Sequence, residues 1–122
     1  MPVTFHNVPF HEFDFPHNAY DFFNAQNAIP FIGPAHVADV MAKIALSMRY
    51  DGILSVTFFG PEDGWANDPE VVIHDRMDIE SYFSSGWRVI DFSEEKAERP
   101  TASGKMKKWH VFQVIASRID IM

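Results

Sequence analysis

IESYFSSGWRVIDFSEEKAERPTASGKMKKWHVFQVIASRI, residues 79–119, holds two apolar stretches with a polar one between them. WRVIDFS (87–93) and WHVFQVIASRI (109–119) are rich in β-branched and aromatic residues, which predicts two strands. Between them, EEKAERPTASGKMKK (94–108) is charged and ends on Gly104 followed by Lys105, Lys107 and Lys108, so it reads as an exposed polar hairpin excursion. Adjacent strands of this length pair antiparallel. A short helix leads into the first strand. Asp75 reads as its cap, and Asp78 three residues on completes a capping-box arrangement. Ile79, Tyr82 and Phe83 make its apolar face before Gly86 stops it.

Upstream, Val37, Val40, Met41, Ile44 and Met48 recur at helical spacing, predicting an amphipathic helix over 35–49 with an Asp39–Lys43 pair on its outer face. Asp51-Gly52 supplies a turn. ILSVTFF (53–59) alternates as a strand, with Leu54, Val56 and Phe58 to one side. GPEDGWANDP (60–69) is a turn-rich loop, and VVIH (71–74) a short strand. Nearer the start, residues 2–8 read as a short strand, and Asn18 as the cap of a short helix carrying Ala19, Phe22 and Phe23. The predicted class is α+β: one mostly antiparallel sheet with two or three helices packed on one face, in a single domain over 1–122. Residues 1–17 form an aromatic, histidine-rich N-terminal arm of that domain.

IESYFSSGWRVIDFS and KWHVFQVIASR also carry a resemblance. Over residues 70–119 the chain resembles small bacterial and phage domains of unknown function with a helix–Gly-Trp–strand signature. The resemblance implies a structural role for Gly86 and Trp87, and no active site.

Composition sets further bounds. The chain of 122 residues has no cysteine, which excludes disulfides, thiolate zinc sites and cysteine nucleophiles. No apolar run approaches the ~20 residues needed to span a bilayer, and MPVTFHNV lacks the pattern of a secretory leader. A cytoplasmic protein without a membrane partner is expected. The net charge of −7 is uneven: residues 1–75 carry ten acids against Lys43 and Arg49 alone. Such a surface disfavours direct contact with nucleic acid and suits a protein partner with a basic surface.

The residues able to carry chemistry cluster early. His6, His11, Glu12, Asp14 and His17 are ligand types for a divalent metal. His11 and His17 share a strand parity that His6 does not, so one extended segment gathers no three-histidine site. Metal ligation by His6, His11 and His17 is therefore an alternative only. His36, His74 and His110 are scattered, and read as structural. GxSxG, GxxxxGK[ST] and GxGxxG are absent, so no motif calls for a nucleophile or a cofactor.

These observations lead to the expectation of a small acidic non-enzymatic binding protein, an inhibitor of a basic or nucleic-acid-binding partner. Its contact residues would be Phe10, Phe13, Asp14 and Phe15 of the arm, with Glu62, Asp63, Trp65 and Asp68 of the 60–69 loop. Two alternatives are an enzyme and a self-assembling homo-oligomer. The enzyme would use Pro2 as a tautomerase-like base, or a metal at the N-terminal His/acid cluster. The homo-oligomer would pair strands through the arm or IASRIDIM.

Overall fold

The hairpin read from residues 87–119 forms the longest strand pair of the computed structural model, which describes residues 15–26 and 28–119. Four strands, β1 (Tyr20–Ala25), β2 (Met48–Phe59), β3 (Trp87–Pro100) and β4 (Met106–Arg118), make one sheet in the order β1-β2-β4-β3. β4 pairs antiparallel with both β2 and β3, while β1 and β2 are parallel. The sheet is thus mostly antiparallel, and the class is α+β.

Helices α1 (Val37–Ser47) and α2 (Arg76–Tyr82) bury their apolar stripes against one side of it. Val37, Val40, Met41 and Ile44 of α1, with Ile79 of α2 and Phe83 just after it, join Leu54, Val56, Phe58, Phe112, Val114 and Ala116 in the core. The i,i+4 pair Asp39–Lys43 lies outside at 3.3 Å. Asp75 caps α2 as read: its carboxylate accepts from the Asp78 amide at 2.8 Å, and Asp78 accepts from the Asp75 amide at 3.1 Å. No helix among the described residues is long and apolar enough to cross a membrane.

The opposite side of the sheet has no helix over it among the described residues. The strand registers line up Phe22, Asn24, Ile53, Ser55, Thr57, Val111, Gln113 and Ile115 there. Ser55 Oγ accepts from Gln26 at 2.8 Å and from Gln113 at 3.2 Å, and Phe22 is 58% exposed.

Besides VVIH, which is no strand but makes a single bridge from Ile73 to Phe59, three expectations are corrected. The helix read after Asn18 is strand β1. Adjacent Phe22 and Phe23 fit either period, and parallel pairing with β2 satisfies the backbone while sending Phe23 and Ala25 inward. Asp51-Gly52 lies inside β2 as an irregularity, where the β1–β2 register shifts between Tyr20 and Phe22 and Asp51 takes φ 64°. Thirdly, most of 94–108 is strand, since pairing runs without a gap from Asp91↔Ile115 to Pro100↔Met106, leaving only Thr101–Lys105 as the tip. β3 is an edge strand and β4 before Val111 has no β2 partner, which lets this part of the hairpin be polar, and Glu98 faces Lys108 across the ladder.

Candidate functional site

A parallel pair presents the ends of its strands, with the loops that follow, on one rim, and ligands of open sheets with parallel strands bind outside those carboxyl ends. Here the loop after β1, the loop after β2 and the β3–β4 tip share that rim. The turn Ile29–Phe31 after β1 is tied to the segment beyond β2 by the Val72 amide, which donates to the Pro30 carbonyl at 2.7 Å. Phe31 then stands edge-on to Phe59 at 5.6 Å and to Trp65 at 6.0 Å. Phe31, Trp65, Asp68, Glu70 and Val71 line a crevice of about 400 Å³.

The loop starting at Gly60 is held by Asp63 and His110. Asp63 is buried, and accepts from the Trp65 amide through Oδ1 and from the His110 amide through Oδ2, both at 3.0 Å. The His110 ring lies so close to Gly60 that any Cβ there would collide with it, which is why glycine leaves β2 at this point. The Glu62 amide donates to His110 Nδ1 at 3.0 Å, so that nitrogen carries no proton. Nε2 therefore donates to Glu94 at 2.6 Å, and this contact is a hydrogen bond from a neutral imidazole and not an ion pair.

Lys107 enters from β4 and closes the cluster. Its Nζ lies 2.7 Å from Asp63 Oδ1, with side-chain exposures of 5% and 0%. The approach lacks hydrogen-bond alignment, so charge attraction holds the pair while the N–H bonds find no aligned acceptor among the described residues. The ammonium sits 3.4 Å from the Trp109 ring centroid, 3.9 Å from that of Trp65 and 4.8 Å from that of Phe59. Three aromatic quadrupoles thus replace much of its lost hydration.

The residues singled out from sequence fall in different places. Phe10, Phe13, Asp14, His6, His11 and Pro2 lie outside the described residues. Phe15 is buried and stacks on Phe23 at 5.7 Å, and His17 is exposed. Glu62 is exposed, paired with Lys96 and, at 3.5 Å, with Lys108; the hydrogen bond from Lys96 pulls its pKa down. Asp63, read as a rim acid, is an internal clamp. Trp65 is half-buried on the crevice, and Asp68 Oδ1 accepts from the Glu70 amide at 2.9 Å. Among the described residues no three His, Asp or Glu side chains are grouped to hold a metal.

His74, set aside as structural, is buried edge-on to Phe58 at 5.1 Å, with Nε2 3.0 Å from the Tyr82 hydroxyl and Nδ1 unpartnered among the described residues. Burial lowers its pKa, against the opposing charges of Asp78 and Asp75. Lys107 was missed. The visible signal was its spacing from Trp109, since two residues apart on a strand share a face.

No family model matches the chain, and no curated protein matches it by sequence. Solved structures do match by fold. TehB from Haemophilus influenzae superposes with a TM-score of 0.70 at 12% identity, over 93% of this chain and 40% of that one. An S-adenosylmethionine (SAM)-dependent methyltransferase from Methanosarcina mazei gives 0.68 at 15%, over 90% and 64%. The 1,6-didemethyltoxoflavin-N1-methyltransferase of Burkholderia thailandensis, with bound 1,6-didemethyltoxoflavin and S-adenosylhomocysteine, gives 0.64 at 13%, over 93% and 49%. The chain therefore spans between two-fifths and just under two-thirds of the length of these structures. These likenesses correct the expectation of a non-enzymatic protein-binding inhibitor, because the fold is one that SAM-dependent methyltransferases use. At such identities the likeness shows the fold alone: the chain is folded as the matched part of those enzymes is.

Proposed function

We propose that this chain supplies the acceptor-binding side of a SAM-dependent methyltransferase. The observation that carries the reading is the parallel β1–β2 pair continued by antiparallel β4 and β3, which gathers three loops on one rim and is shared with methyltransferase structures. A bound methyl donor supplies an electrophilic methyl group; the rim supplies its surroundings. Phe31 and Trp65 give apolar walls that exclude water, and Asp68 and Glu70 give the crevice a polar lip.

The residues do not make a nucleotide site on their own. GxGxxG occurs nowhere in the sequence, and the ends of β1 and β2 present a side-chain amide at Gln26 and a ring and a glycine at Phe59–Gly60. In this reading the nucleotide-binding layer packs on the face, around the exposed Phe22, and along the β1 edge that the described residues leave uncovered. We assign the activity to the cytoplasm, which suits a cysteine-free chain.

The test uses the full chain and a fusion of it behind the segment of the Burkholderia enzyme that the match leaves uncovered. S-Adenosylhomocysteine binding is measured by calorimetry, and transfer of labelled methyl from SAM by scintillation counting. The expected result is binding and transfer by the fusion, both lost in Phe22→Asp. A folded fusion that neither binds nor transfers overturns the reading.

A further inference from the structure

We propose that the groove between the β3–β4 tip and Gly64–Trp65 binds the anionic group of a small molecule, a carboxylate or a phosphate. The groove is about 430 Å³, and Trp65, Thr101, Ser103, Lys105, Lys107 and Lys108 line it. Three lysines and no acid are among its lining residues, in a chain of 10 Lys and Arg against 17 Asp and Glu, and of the three Lys107 has its ammonium enclosed by Asp63 and the aromatic rings. The local sign is the reverse of the global one, which marks the groove as selective for anions.

The donors are only partly used. Lys107 is enclosed with Asp63 and lends its charge to the groove, while Lys105 and Lys108 supply the reachable ammonium donors. Lys108 meets Glu62 at 3.5 Å with both side chains about half exposed, a contact that solvent makes cheap to exchange. Glu62 keeps Lys96 when Lys108 turns away. Lys105 has no acid partner among the described residues. Its carbonyl accepts from the Thr101 amide at 2.8 Å, which fixes its backbone at the tip, where Gly104 takes φ 86°. Thr101 and Ser103 share a hydroxyl hydrogen bond at 2.9 Å, so one of the two O–H groups is left to donate outward. Ammonium and hydroxyl donors converging on one groove match an oxyanion, and Trp65 offers a flat apolar wall for the group attached to it.

Trp65 also borders the crevice against Phe31, so an anion held by Lys105 and Lys108 would have its organic part beside the proposed acceptor site. The ligand's role as acceptor rests on the methyltransferase reading; its binding does not.

Tryptophan fluorescence and calorimetry on the full chain, titrated with benzoate, phenyl phosphate, inorganic phosphate and neutral benzamide, test this. Benzoate or phenyl phosphate is expected to bind at least about tenfold more tightly than benzamide, the ratio one charge-assisted hydrogen bond supplies. Lys105→Ala at the exposed tip should remove about that factor without lowering the melting temperature, and Lys43→Ala on α1 should leave binding unchanged. Inorganic phosphate bound as tightly as phenyl phosphate supports the anion site and assigns it to a free ion. Equal affinity for benzamide and benzoate, or affinity unaltered in Lys105→Ala/Lys108→Ala, overturns it. Anion binding retained where methyl transfer is absent removes the methyltransferase reading and leaves this site standing.

Discussion

The ammonium of Lys107 and the carboxylate of Asp63 meet at 2.7 Å inside the protein, with a ladder strand on one side of the contact and a loop on the other. Removing one member strands the other charge without water. Lys107→Met should lower stability by about 3–5 kcal/mol, and Asp63→Asn by a similar amount. The double substitution Lys107→Met/Asp63→Asn should recover part of the loss, because no unpaired charge is then buried. Urea denaturation of the four proteins of the cycle measures the coupling, and additive losses would show that the pair is not one unit.

Gly60 should tolerate no side chain. Gly60→Ala drives a methyl into the His110 ring and is expected to cost about 1–3 kcal/mol. His110→Ala in the same chain should relieve the clash, so the double variant melts no lower than His110→Ala alone.

His74 gives stability a pH dependence whose sign is fixed. Burial holds its folded-state pKa below the ordinary value, so below about pH 6.5 the unfolded chain binds the extra proton first. The contribution is present above that pH and is lost as pH falls towards the folded-state pKa. Tyr82, whose pKa burial raises, acts only at the alkaline end. Stability measured from pH 7.5 to 5 should fall less steeply in His74→Gln than in the parent. Parallel curves would contradict the assignment.

The capping box is separable from the site. Asp75→Ala should destabilise by about 1 kcal/mol, in the range of other N-cap losses, and leave ligand binding at the rim unchanged. Chemical denaturation beside a benzoate titration checks both halves.

What was legible in the sequence was local. The α1 stripe, the Asp75–Asp78 box and the Leu54-Val56-Phe58 alternation each depend on neighbours within a turn or two, and each is present, except that Met48, read as the last member of the stripe, opens β2. β1 was not legible, because six residues with adjacent phenylalanines have no period of their own, and only a distant parallel partner decides them. The upper half of β3 looked like loop because a solvated edge strand needs no apolar alternation, and the start of β4 because it runs beyond its pairing with β2. Asp63 looked like a surface acid for the same reason that Lys107 looked like a hairpin lysine. Each is buried only because the other is there, and no window of sequence contains both.

Among the described residues the helices cover one side of the sheet, with a consequence for how substitutions are tolerated along β4. Phe112, Val114 and Ala116 touch the helical layer, whereas Val111, Gln113 and Ile115 alternate with them on the uncovered side. If that side faces water in the working protein, tolerance to polar replacement alternates residue by residue. If a second layer lies over it, as the methyltransferase reading holds, the alternation vanishes and Gln113 and Ile115 become as restricted as Val114. A saturation scan of one strand would then report the occupancy of a whole face.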